Sequence, residues 1–269
     1  MIRIGEIDWR FADPFPDALV GINFTRLVSS PLARKLIVKL GARKGIGEAE
    51  VNKILDEMSD VNHVAVSFRD NQAAVMITGR AADESFPPPE AGLKVATVSA
   101  GAMLVGHEDA VNQAMQRIAS RSALMDSAKL AEERQASSEF WALGSSSLFG
   151  PEAMSQGLKG FSLTVSIRNT FASDLALEFY RAPDANTLRT WQMTLGAAAL
   201  EGNALHLRTS MEAVEVEQKF DALTAGPIGE ALGALLQATR YLPARQSPVP
   251  NGAKPVIYGL DGGPRVVNQ

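Results

Sequence analysis

The sequence predicts an α+β protein built from two tandem ferredoxin-like β-α-β-β-(α)-β modules, with helices packed on one face of antiparallel sheets. Three observations predict it. Two stretches of period-two alternation, Val64 to Ile77 and Leu163 to Phe179, each break at a polar turn, as β-hairpins do. The two breaks echo one another: Val66-Ser67-Phe68-Arg69-Asp70-Asn71 in one and Val165-Ser166-Ile167-Arg168-Asn169-Thr170 in the other. Stretches with helical spacing flank both hairpins, and a two-stranded hairpin needs such cover to be stable in water.

In chain order, Ala18 to Phe24 reads as the opening strand. Pro31 to Leu40 and Gly47 to Met58 follow as helices, broken apart by Gly41, Gly45 and Gly47, the second with Val51, Ile54, Leu55 and Met58 on one stripe. The first hairpin turns at Asp70-Asn71, with Val64, Val66 and Phe68 on the apolar face and His63, Ala65, Ser67 and Arg69 opposite. Next comes Ala81 to Gly92, whose Pro87-Pro88-Pro89 cannot lie inside a helix. Strands Leu93 to Val98 and Ala102 to Val105 and the amphipathic helix His107 to Ser120 close the first module, 1–122.

A charged helical connector, 123–138, leads into the second module, 139–240. There the expected elements are a strand Phe140 to Gly144, a short helix Pro151 to Gln156, the second hairpin, and a helix capped by Asp184 and running through Leu188, Trp191, Leu195 and Ala199. Strands Asn203 to Arg208 and Ala213 to Phe220 then pair, setting Leu205 and Leu207 against Val216 and Val214 and His206 beside Glu215. A helix Pro227 to Ala238 ends the module. Residues 241–269 hold five prolines and four glycines, the composition of a tail or strap. Within it Val256, Ile257, Tyr258 and Leu260 are apolar and suit docking as an added strand on a sheet edge, in this chain or on a protein partner.

The 269 residues include no cysteine and three histidines. Thiol catalysis, iron–sulfur clusters, cysteine-based zinc sites and disulfides are therefore excluded. His63, His107 and His206 fall on three different elements, so neither a metal nor a cofactor is expected. Apolar runs stay far below the roughly 18 to 20 residues of a transmembrane helix. The net charge of −4 argues against nucleic acid as a partner. Between Arg26 and Lys44, however, six basic residues and no acid give +6, which leaves −10 for the rest of the chain. Arg34, Lys35, Lys39, Arg43 and Lys44 are thus candidates for binding an anion or an anionic membrane surface, although Leu32, Leu36 and Leu40 at spacing four make the same stretch an ordinary solvated helix.

No catalytic signature is present. Gly144-Ser145-Ser146-Ser147-Leu148 lacks the closing glycine of a nucleophile elbow, and Gly41 to Gly47 lacks the lysine and hydroxyl positions of a phosphate loop. Glu215 and Glu217 are the carboxylates that a hydrolytic enzyme with a cleft between the modules would use, provided the pKa of one is raised. The leading expectation is a non-catalytic binding or assembly module; the alternatives are that hydrolase and an anion- or membrane-surface-binding protein.

Pro16-Asp17-Ala18-Leu19-Val20-Gly21-Ile22 with Ser29-Ser30-Pro31-Leu32, and later Leu104-Val105-Gly106-His107-Glu108-Asp109-Ala110-Val111, resemble uncharacterised bacterial exported proteins of unknown function. In those proteins an opening strand after a proline-aspartate-alanine turn and a "VGxEDAV" helix start recur. The resemblance covers about a third of the chain and implies a bacterial protein of the periplasm or cell envelope. Met1 to Phe15 does not read as a secretory signal, so the cytoplasm is the alternative.

Overall fold

Strands form where the alternation places them. The computed structural model describes residues 6–80, 92–189 and 198–220, together with the strand residues 256–258 and 264–266. The first half contributes β1 (Ala18–Asn23), β2 (Val61–Arg69), β3 (Gln72–Gly79), β4 (Leu93–Ser99) and β5 (Ala102–His107). The second contributes β6 (Phe140–Ser145), β7 (Leu158–Ile167), β8 (Thr170–Phe179), β9 (Ala199–Glu201) and β10 (Ala204–Glu212). All ten join in one sheet, in the order β4-β5-β3-β2-β1-β6-β7-β8-β10-β9.

Outward from the β1–β6 seam, both halves run first, second, third, fifth, fourth strand. The sequence echo therefore marks a structural repeat, with Arg69 ending β2 and Arg168 following β7 in matching slots. The repeat differs from two ferredoxin-like modules. In such a split unit another strand lies between the first strand and the second, whereas here β1 pairs directly with β2 and β6 directly with β7, and both halves share one ten-stranded sheet. Val20 lies opposite Val66, and Phe140 opposite Val165, so the two echoes superpose when a pseudo-twofold axis passes between Gly21 and Trp141, which face each other across the seam.

Helices cover both faces, not one. α1 (Phe24–Ser29), α2 (Pro31–Arg43) and α3 (Glu48–Glu57) pack on the face carrying Ile22, Val64, Ile77, Phe140 and Val165. α4 (Glu108–Ala119) and α5 (Asp126–Ser137) cover the other face over Leu19, Ala65, Met76, Leu104 and Trp141. The reason lies in the small and flexible residues of the second phase: Ala65, Ala74 and Met76 are apolar too, so the first half is buried on both sides. Ser30 caps α2, its Oγ accepting the Ala33 N–H at 3.1 Å with Pro31 at the first helical position. The Gly106 of the resemblance motif has φ +153°, and a Cβ there would stand 2.1 Å from the Ala73 carbonyl oxygen, so strand β3 passes where no other residue fits.

One expected strand is a helix. After α6 (Pro151–Ser155) and the second-half strands, residues Ala213–Gln218 form α7. Val-Glu-Val-Glu satisfies both periods locally, but Val216 and Phe220 are buried at spacing four while Val214 is exposed, so the helical period prevails. Leu205 and Leu207 consequently pair with Leu177 and Leu175 of β8, and Leu205 with Leu200 of β9. Asp184 does cap a helical stretch, its Oδ1 accepting the Thr187 N–H at 2.8 Å, but Ala199 belongs to β9. Pro87-Pro88-Pro89, Trp191, Leu195, Leu260 and the helix expected at Pro227 to Ala238 lie outside the described residues. The tail strands β11 (Val256–Tyr258) and β12 (Pro264–Val266) pair with each other as a separate antiparallel hairpin, and Val256, Ile257 and Tyr258 do not extend the large sheet.

Candidate functional site

The basic stretch is largely engaged within the molecule. Arg34 Nη2 meets Asp56 Oδ1 of α3 at 3.1 Å, and Lys35 Nζ meets Glu217 Oε1 of α7 at 2.5 Å. Lys39 Nζ lies 3.9 Å from Glu217 Oε2, and Arg43 stacks over the Phe220 ring at 4.8 Å. Lys44 is the C-cap of α2. The two carboxylates proposed for hydrolysis sit on a helix, Glu215 bound to Lys219 at 2.7 Å and Glu217 held below the ordinary carboxylate range by the hydrogen bond from Lys35. These pairs are solvent-exposed, so Lys35→Ala is expected to change unfolding free energy by less than about 1 kcal/mol, measured by urea denaturation.

The histidines stay apart. His63 Nδ1 lies 3.3 Å from Thr78 Oγ1, His107 Nδ1 accepts the Ala73 N–H at 3.0 Å, and His206 Nδ1 lies 2.9 Å from Asp174 Oδ1 on β8, not beside Glu215. Among the described residues no group of three or more histidine, aspartate or glutamate side chains converges as a metal site. No described helix is long and apolar enough to cross a membrane.

Charged groups do converge at the turn end of the first hairpin. A pocket of about 430 Å³ opens between β2, β3 and α4, with Asp13, Ser67, Arg69, Gln72, Gln113 and Arg117 on its wall. Asp8 shapes the segment that Arg117 contacts: its carboxylate caps the short turn Trp9–Phe11 and binds the Arg10 guanidinium at 2.6 and 2.7 Å, fixing the carbonyls of Arg10 and Phe11. Arg117, in the last turn of α4, donates from Nε to the Arg10 carbonyl at 3.3 Å and from Nη2 to the Phe11 carbonyl at 2.6 Å. Burial pushes the Arg117 pKa down, against the attraction of Asp13, yet a guanidinium stays protonated at any ordinary pH. Arg69 Nη1 donates to Asp13 Oδ1 at 2.7 Å, and that bond raises the Arg69 pKa. The buried Ser67 Oγ accepts the Asp13 N–H at 2.9 Å.

The second half repeats the serine and arginine and answers them differently. Glu139, next to β6, is wholly buried and accepts from the Ile167 N–H at 2.9 Å, from Arg168 Nε at 3.3 Å and from the Ser166 hydroxyl. Burial alone would raise its pKa, but these three donors outweigh burial and hold the carboxyl below the ordinary glutamate range. Of the sequence-derived candidates, then, the structure brings Lys35 and Lys39 together at Glu217, and sets Arg34 on Asp56 and Arg43 on the Phe220 ring. It also assembles a charged pocket around residues the sequence did not single out, Asp13 and Arg117. Asp13 sits in a loop and Arg117 on a helix, in no motif; the Ser-x-Arg echo was the one signal pointing there.

The fold and pocket define an α+β protein with a repeated half and a polar, arginine-lined cavity at a hairpin end. No family model and no curated protein matches the chain. Among solved structures, crystal form I of TP0453 is similar at 13% identity and a TM-score of 0.49, over 82% of this chain and 99% of that one. Crystal form III of TP0453 is similar at 11% identity and a TM-score of 0.47, over 79% and 97%.

Proposed function

We propose that the chain is a non-catalytic bacterial binding module acting outside the cytoplasm, with the Asp13–Arg69–Arg117 pocket as its ligand site. The observation that carries the reading is the way the pocket's charges are held. Each arginine is fixed by a carboxylate or by backbone carbonyls, which makes a preorganised recognition surface. General acid–base catalysis wants a carboxyl raised toward neutral pH. Among the described residues, the carboxylates with shifted pKa, Glu139, Asp184, Glu201 and Glu217, all move down instead. The extracytoplasmic setting rests on the resemblance of the opening strand and of the α4 start to exported proteins.

The test is ligand-observed NMR of the protein with a pool of organic acids, amino acids and short peptides, followed over hours. Attenuation of some signals with no new resonances is the expected result. Product resonances that depend on the protein would overturn the non-catalytic reading, and fractionation of cells expressing the full gene checks the compartment.

A further inference from the structure

We infer that the pocket beside Ser67, Arg69 and Arg117 binds a carboxylate of the ligand, through the serine and arginine whose counterparts hold Glu139 in the other half. The inference rests on reading this pocket as the ligand site. The molecule carries its own template. In the second half a single carboxylate takes a serine hydroxyl, a backbone N–H and an arginine Nε at the end of the hairpin. The register of β6 with β7, continued one step past the Phe140–Val165 pair, sets Glu139 opposite Ser166.

The first half keeps the serine and the arginine and lacks that acid. Leu19 is the residue opposite Ser67, and its side chain has no acceptor. Ser67 Oγ is already used as an acceptor by the Asp13 N–H, and none of the described residues takes its proton. A buried hydroxyl proton is best matched by an acceptor.

Arg117 adds a second guanidinium on the wall. Its bonds to the Arg10 and Phe11 carbonyls use two of five N–H donors and hold its plane fixed. A carboxylate suits such a fork, since it accepts two parallel bonds from one guanidinium. The acids already present do not close the site to an anion. Asp13 is neutralised by Arg69, whose Nε also lies 3.3 Å from Asp70 Oδ2, a carboxylate 85% exposed and able to return to water. Gln72 and Gln113 supply amide donors and acceptors for the groups attached to the carboxylate.

The experiment follows the arginine Nε–H resonances of the ¹⁵N-labelled protein during titration with three probes: succinate, N-acetyl-alanyl-alanine, and the C-terminal amide of that dipeptide. Expected are shifts of the Arg69 and Arg117 signals with at least one acid, at an affinity tenfold or more above that of the amide, and a tenfold or greater loss in Arg69→Gln. Succinate binding alone identifies a small dicarboxylic acid, and dipeptide binding alone a chain terminus; either supports the inference. Equal binding of acid and amide overturns the carboxylate while leaving the pocket a ligand site. No shift with any probe, in protein that remains folded by circular dichroism, overturns both. If Arg69→Gln does not fold, the comparison of acid with amide on the unaltered protein decides.

Discussion

Trp141→Ala is expected to destabilise the protein by about 3 to 5 kcal/mol, the range for removing a large buried aromatic. Trp141 is fully buried at the β1–β6 seam, with its ring 5.7 Å from that of Trp9. Its Nε1–H donates to Gln135 Oε1 at 2.6 Å, so truncation also leaves a buried acceptor without its donor. Gln135 in turn donates to the Ile22 carbonyl, and its own carbonyl accepts from Asn23 Nδ2, both at 3.4 Å. The loss thus reaches α5 and the end of β1 together. Thermal unfolding should move down by roughly 10 °C for a domain of this size, and a change of under about 1 kcal/mol in urea would show that the seam is not part of the core.

Glu139→Gln is expected to cost about 2 to 3 kcal/mol at neutral pH, through loss of charge-assisted hydrogen bonds. Glutamine keeps one acceptor for the Ile167 N–H but presents an NH₂ toward the other donors. Arg168 is 61% exposed and returns to water, so no buried charge is stranded. The effect depends on pH in a defined direction. Because the folded-state pKa lies below the ordinary value, the stabilisation is fully present above about pH 4.3, the unfolded glutamate value, and is lost as pH falls through the folded value. The gap in urea midpoint between wild type and Glu139→Gln should therefore close in acid. A gap that stayed constant from pH 7 to pH 3 would show that ionisation of Glu139 contributes nothing.

Much of the architecture was legible because alternation and helical spacing are local. β2 and β3 meet around Asp70-Asn71 as the turn chemistry requires, and both residues adopt positive φ there. The order of strands was not local. Whether two like halves make two sheets or share one depends on whether β1 finds β6, a pairing across more than a hundred residues that no periodicity records. α1 (Phe24–Ser29) also went unread, being only six residues long and continuous with the β1 pattern. The Ala213 to Phe220 error has another cause: in so short a window two periods fit equally well, and burial of Val216 and Phe220 in the core that α2 also lines decides.

For the site, the echo indicated where to look but not what is there. Ser67 and Arg69 read as the polar phase of a half-buried strand. Their partner Asp13 reaches them from a loop before β1, more than fifty residues away in sequence, and Arg117 joins the same wall from the far end of α4. The basic residues of α2 drew attention because they cluster in sequence, yet Arg34, Lys35 and Lys39 meet acids on α3 and α7.

The facing of Gly21 and Trp141 at the pseudo-twofold axis bears on how far each half depends on the other. Two identical halves joined about that axis would bring the same residue against itself. A Cβ on Gly21 would stand 2.3 Å from the Trp141 ring, so two tryptophans there would collide and two glycines would leave a hole the size of an indole. The seam fits when one side is largest and the other smallest. Such a lock and key cannot be made by a homodimer of either half, because its two faces belong to different sequences. Each half therefore depends on the other, and a separated half would lack the complementary surface on which its first strand closes.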